Sequence, residues 1–145
     1  MNKIVWNGLG YTPGRYSDII AVGTSVNCNI SPNYYFNNYY DLPDYKKAID
    51  NNAFPIYSAY KLNFDDIVRR EVIYKLRNYS SVNISYFEQT YKLNFKEYFK
   101  DELIMLREFH NDGVLINIEN SITLSEIGKD FVQHVCSVFD IFSKH

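Results

Sequence analysis

The chain has 145 residues, a length suited to one domain, and 46% of them are hydrophobic, enough to fill a core. Charged residues are 22% of the total and the net charge is -2. That balance argues against a protein that grips nucleic-acid backbone through a broadly basic surface.

The opening run MNKIVWNGLGYTPG has one lysine and no long apolar stretch. It is neither a secretory signal nor a membrane span, so no membrane association and a cytoplasmic location are expected. Residues 1–40 hold four of the six glycines, Gly8, Gly10, Gly14 and Gly23, and two β-like runs, KIVW and DIIAVGTSV. The second run is continuously apolar and ends on glycine, which predicts a strand buried on both faces. NCNISPNYYFNNYYDLP follows and reads as a polar, aromatic connector. So little strand cannot complete a sheet alone, and other sequence must pair with it.

Residues 41–145 read as a helical unit. LPDYKKAID is a short helix after Pro43. Asn63 is a good N-cap for FDDIVRREVIYKLRNY, with Asp65 and Asp66 in the first turn, where the helix dipole favours acids. Phe64, Ile67, Val68, Val72, Leu76 and Tyr79 fall on one face of it. A shorter helix is expected over 85–93. Asn94, with Glu97 three residues on, starts another in the manner of a capping box. Its stripe is Phe95, Tyr98, Phe99, Leu103 and Leu106, and His110–Gly113 ends it. VLINIENSITL is a predicted β-hairpin turning at Glu119-Asn120-Ser121. One long last helix is expected, burying Ile127, Phe131, Val135, Val138 and Phe142. Gly128 inside it costs about 1 kcal/mol relative to alanine and marks a close contact. Helices, a two-stranded wing and a final helix make the order winged-helix-like.

No catalytic constellation emerges. His110, His134 and His145 have no second ligand at helical spacing, so no metal site is expected. Cys28 and Cys136 stand far apart, outside any CxxC group, and are expected as reduced, buried thiols. Cys136 is two residues from His134, a spacing that puts the two on different helix faces, so a Cys–His pair is not expected. GLGYTPG lacks the register of a phosphate-binding glycine loop but suits a close backbone approach to a ligand or strand. Arg69 and Arg70 sit among Asp65, Asp66 and Glu71 as an ordinary mixed-charge helix. With no basic stripe and a non-basic hairpin tip, nucleic acid is a poor partner. Tyrosine-rich composition (14 Tyr, 10 Phe) fits an AT-rich coding sequence first and a ligand groove second.

Five stretches in order resemble the C-terminal part of the oxygen-independent coproporphyrinogen III oxidases, radical S-adenosylmethionine enzymes of haem biosynthesis. GYTPGRYSDIIAVGTSV is similar to the family's GYT segment and following strand. NNYYDLPDYKKAID resembles its connector and helix. LNFDDIVRREVIYKL resembles its LTxDDxIRRxVI stretch, YKLNFKEYFKDELIMLREFHNDGVLIN its FxxYFxxEL and DGLV segment, and ITLSEIGKDFVQHVCSVFD its closing LTxxG helix.

The resemblance implies an α+β, mainly helical fold. Residues 1–40 would be a strand-and-loop remnant of a partial (β/α) barrel, and 41–145 a winged-helix-like C-terminal domain with a short hairpin. The family's barrel holds a [4Fe-4S] cluster through CxxxCxxC, binds S-adenosylmethionine and oxidatively decarboxylates two propionates of coproporphyrinogen III. The motif is absent from these 145 residues, so the resemblance implies no catalytic residue and no cofactor bound by this chain alone. It implies instead that the chain covers an active site built by a barrel segment, its partner, unless self-association takes that place. Gly10, Tyr11, Thr12, Gly23 and Ser25 would face the cofactor side, and Arg69 or Arg70 would tie the helical cap to its own acids or to the barrel. Leu9 and Asn27 replace a glutamine and an isoleucine that hold a second S-adenosylmethionine in the family. Haem chaperones and anaerobic haem-degrading enzymes share the architecture. The alternative from another class is a stand-alone winged-helix module for protein or nucleic acid.

Overall fold

The computed structural model describes residues 4–6, 11–14, 18–30 and 33–142. The chain divides into two units, Met1–Ile67 and Val68–His145.

In the first unit, β1 (Ile4–Trp6) pairs antiparallel with β2 (Tyr11–Pro13), Val5 opposite Thr12. A second sheet contains β3 (Asn27–Ile30), β4 (Tyr34–Asn38) and β5 (Ile56–Lys61) in the order β3-β4-β5, all antiparallel. Between β4 and β5 runs α1 (Leu42–Asp50), the expected short helix. Asp41 caps it by accepting from the Asp44 amide, and Pro43 occupies the first turn, where its missing N–H costs nothing.

Two expectations fail in this unit. The run DIIAVGTSV is not a strand: it makes an isolated bridge, Ile19 with Asn29. Ile20 and Val22 are 74% and 85% exposed. A doubly buried strand needs packing on both faces, and residues 18–26 do not have it here. Conversely, the supposed connector contains β3 and β4. Tyrosine and phenylalanine favour the pleated surface, but interleaved asparagines hid the pattern. β5, IYSAYK, is exposed over most of its length, so it lacks the inside-outside alternation that announces a strand.

The second unit begins within α2 (Phe64–Tyr79), one turn after its start. The cap is reciprocal: Asn63 Oδ1 accepts from the Asp66 amide at 2.9 Å, and Asp66 Oδ2 accepts from the Asn63 amide at 2.9 Å. Val68, Val72 and Leu76, the centre of the predicted stripe, are fully buried, whereas its ends Phe64 and Tyr79 are exposed. Next come β6 (Ser81–Asn83), α3 (Ile84–Tyr91), α4 (Phe95–Tyr98) and α5 (Lys100–Asn111). The hairpin forms as expected, β7 (Leu115–Asn117) with β8 (Ser121–Leu124), and β6 joins it in the order β6-β8-β7. Three residues are too few for β6 to show a period. Within β7 the inward residue is Leu115, and Ile116 faces out.

The single helix expected from Phe95 is broken at Phe99, which has φ -107° and ψ 33°. There Phe99 stacks within 4.8 Å of Phe95, 4.9 Å of Tyr98 and 5.3 Å of Phe139, aromatic pairs at the preferred spacing. The long final helix is also broken, into a 3-10 turn Ile127–Lys129 and α6 (Val132–Phe139). Its buried face is Val135, Cys136, Val138 and Phe139, while Ile127, Phe131 and Phe142 are exposed. The cause is local. The Gly128 amide donates to Ser125 Oγ at 2.9 Å. A Cβ at Gly128 would overlap the carbonyl of Val114. The glycine does mark a close approach, to a backbone loop, and the helix restarts out of phase beyond it. Seventeen buried residues, from Val68 to Phe139, form this unit's continuous core, and the mainly helical α+β expectation holds.

Candidate functional site

Of the expected cofactor-facing residues, Gly10 lies outside the described residues. Tyr11 and Thr12 are on β2. Tyr11 is exposed, and Thr12 Oγ1 donates to the Gly14 carbonyl at 3.1 Å, closing a turn in which Gly14 has φ 96°. Gly23 and Ser25 share a second turn, with φ 111° and 58°. A serine in that left-handed region is uncommon and is held by its bonds. Its amide donates to the Tyr39 carbonyl at 2.9 Å and its hydroxyl to the Tyr40 carbonyl at 3.3 Å. The Gly23 amide donates to the Tyr45 hydroxyl at 3.1 Å, and its carbonyl accepts from Asn38 Nδ2 at 2.9 Å. Thr12 thus bonds within its own turn, whereas the Gly23–Ser25 turn is clamped by β4 and α1.

Asn38 and Tyr45 are the residues that sequence reasoning missed. Asn38 is buried where the β4–β5 register shifts. In an asparagine-rich chain it carried no distinguishing signal. Tyr45, on the half-buried side of α1, could have been found by asking which polar ends a short amphipathic helix turns inward.

Arg69 and Arg70 take different places on α2. Arg69 Nη1 donates to Glu102 Oε1 at 2.8 Å and to the Phe139 carbonyl at 3.3 Å, and its guanidinium lies 5.3 Å from the Phe99 ring centre. One side chain therefore joins α2, α5 and the end of α6. Glu102 is buried, and its pairing across 33 positions left no trace in the local pattern. Arg70 is half-buried on the neighbouring face. The adjacent Glu71 pairs with Lys75 at 3.8 Å.

Two titrations are shifted. The Tyr60 hydroxyl donates to Asp66 Oδ2 at 2.9 Å, and this bond to a carboxylate raises the phenol above its ordinary range. Burial pushes the Cys136 thiol up to about 12, against a smaller downward pull from Arg77.

These residues do not fit an iron–sulfur cluster, which takes several converging thiolates. Cys28 and Cys136 are free, buried and in different units, and Cys136 keeps its proton. Among the described residues no group of three His, Cys, Asp or Glu side chains could hold a metal ion.

The first unit's surface is more telling. Among its described residues the buried hydrophobic ones are Val5, Cys28 and Leu62, while Ile20, Val22 and Phe54 (87%) stand exposed. α1 buries none of its residues. No helix among the described residues is long and apolar enough to cross a membrane.

The helical unit is well packed and, among the described residues, no three metal-ligating side chains come together. Comparison with known proteins shows what the chain is similar to. No protein-family profile matches the chain. The oxygen-independent coproporphyrinogen III oxidase of Helicobacter pylori is 29% identical over 137 residues, covering 94% of this chain and 30% of that protein. The enzyme of the same name from Synechocystis is 29% identical over 141 residues, with the same coverage. The solved structure of the Escherichia coli coproporphyrinogen III oxidase, HemN, described as a radical SAM enzyme, superposes with TM-score 0.90 at 27% identity. It covers 97% of this chain and 32% of that one. The chain is thus homologous to the C-terminal domain of the oxygen-independent coproporphyrinogen III oxidases and spans about 30% of the length of the curated relatives it matches.

Proposed function

We propose that this chain is the C-terminal lobe of an oxygen-independent coproporphyrinogen III oxidase-type enzyme, docking through its first unit onto a cluster-bearing barrel and covering the active site there. The observation that carries this reading is the exposure of large apolar side chains in the first unit, Ile20, Val22 and Phe54, together with a helix α1 that buries none of its residues. Such a surface is stabilised when another part removes it from water, at roughly 25 cal/mol per Å². The relatives have about that partner in the remainder of their length.

In this reading the barrel supplies the [4Fe-4S] cluster and S-adenosylmethionine for oxidative decarboxylation of coproporphyrinogen III. This chain's own residues exclude water and position loops. Tyr11, Thr12 and the clamped Gly23–Ser25 turn face the cofactor side, and Gly10, which precedes Tyr11 in sequence, is assigned the same role. Asn38 and Tyr45 keep that turn in shape. Arg69 ties the helical lobe together from within, and Arg70 is half-buried on the neighbouring face of the same helix. The setting is cytoplasmic. A stand-alone winged-helix binder is the poorer reading, since such a module would cover its own first forty residues.

The test is reconstitution with iron, sulfide and S-adenosylmethionine. The chain alone is expected to develop no visible cluster band and to cleave no cofactor. Mixed with the barrel segment of a relative, it is expected to raise porphyrinogen turnover above that of the barrel alone. Cluster formation with cofactor cleavage by the chain alone would overturn the assignment, as would a barrel whose turnover is indifferent to the chain.

A further inference from the structure

A groove on the second unit has a separate character. Lys100, Ile104 and Arg107 follow each other at helical spacing along the exposed face of α5, and Lys96 precedes them on α4. Across from them is the β7 end of the hairpin, with Ile116 and Glu119. Two hollows of about 260 and 420 Å³ share Arg107, Ile118 and Glu119, which makes the groove continuous.

Its chemistry is biased. Three permanent cations line it in a chain of net charge -2. Its one carboxylate, Glu119, reaches Lys96 at 3.4 Å. Both partners are largely exposed, so the pair is weak and an incoming carboxylate can replace it. Glu97, Asp101 and Glu108, the exposed acids of the same helices, do not line the groove, and Glu102 is buried. Ile104 stands between Lys100 and Arg107 on the helix and Ile116 lines the second hollow beside Arg107; they are 53% and 64% exposed. The groove therefore alternates positive and aliphatic positions.

We propose that this groove binds an extended acidic segment of a partner polypeptide, with the pattern acid–x–aliphatic–x–acid. Lys100 and Arg107 are about 10 Å apart along the helix at about 1.5 Å per residue. In an extended chain, positions i, i+2 and i+4 share a face and span about 13 Å. Long flexible lysine and arginine stems close that difference. The carboxylates meet Lys100 and Arg107, and the aliphatic side chain between them covers Ile104 and Ile116. β7 is the edge strand of its sheet, so an extended segment can lie along it in the manner of strand addition. Nucleic acid suits the groove less well, because phosphates would leave the isoleucines bare and meet Glu119.

The experiment is an amide NMR titration of the isotopically labelled full chain. The probe is a capped peptide with a Glu-Ser-Leu-Ser-Glu core, compared with its Gln-Ser-Leu-Ser-Gln analogue and a short mixed-sequence DNA duplex. Saturable shifts confined to α5 and the hairpin are expected, with the glutamine analogue about tenfold weaker. Arg107→Glu and Lys100→Glu should each abolish the shifts with the spectrum otherwise folded, and Lys129→Glu should leave them intact. Equal binding of both peptides, shifts that survive both groove variants, or no localised shifts would overturn the proposal. Tighter binding of the duplex at the same residues would assign the groove to nucleic acid instead.

Discussion

Removing the Arg69 side chain tests what holds the helical unit together. The Arg69–Glu102 contact is 2.8 Å long, with the two side chains only 15% and 7% exposed. Replacing Arg69 with alanine leaves the Glu102 carboxylate buried without its guanidinium, a change that costs about 3–5 kcal/mol. Loss of the bond to the Phe139 carbonyl and of the Phe99 stack is contained in that figure. Lysine at 69 keeps the charge but not the planar fork and should lose an intermediate amount. The double change Arg69→Met with Glu102→Leu removes both charges at similar volume and should be close to neutral or stabilising. Urea unfolding, extrapolated linearly for each variant, gives the comparison. A loss below about 1 kcal/mol for Arg69→Ala, the value of an exposed pair, would refute the reasoning. So would additivity of Arg69→Ala and Glu102→Ala in a double-mutant cycle.

Three further outcomes follow from named contacts. Gly128→Ala forces a Cβ against the Val114 carbonyl and should cost about 1–3 kcal/mol by urea unfolding; an unchanged midpoint would show that the loop moves freely. Asn38→Ala removes the bond to the Gly23 carbonyl and should speed hydrogen exchange at residues 21–25 while leaving α2 and α5 protected. Cys136 has a folded pKa raised from 9.0 to about 12, so its contribution to stability is fully present below pH 9. As the pH rises from there towards 12, the unfolded thiol ionises first and that contribution is lost. The fall in urea midpoint over this range should be shallower in Cys136→Ala, and equal slopes would contradict the burial argument.

Periodic helices were legible where burial follows a stripe. Val68, Val72 and Leu76 sit at helical spacing because one face of α2 packs and the other does not. The Asn63 and Asn94 caps were readable because capping is a local bond between near neighbours. What escaped notice depends on distant parts of the chain. Phe99 breaks its helix to join rings from α6, and the last helix loses its phase because Gly128 is pressed on Val114. The partner of Arg69 is 33 positions away. The strand expected over 18–26 failed for an informative reason. Its apolar pattern suits a double burial that this unit does not offer, and Ile20 and Val22 are left bare. β3 and β4 formed from residues whose asparagines concealed their strand preference. Gly23 and Ser25 were singled out through the family resemblance as cofactor-facing positions, whereas the turn they form and its bonds with Asn38 and Tyr45 became visible only in the fold.

The most direct measurement of the docking claim is light scattering of this chain mixed with the portion of the Helicobacter pylori enzyme that lies outside the matched region. A one-to-one complex is expected, resistant to salt because an apolar surface holds it. Ile20→Asp and Val22→Asp should dissociate it, and Lys129→Glu should not. A chain that remains a monomer in that mixture, or a complex indifferent to both aspartate substitutions, would contradict the account.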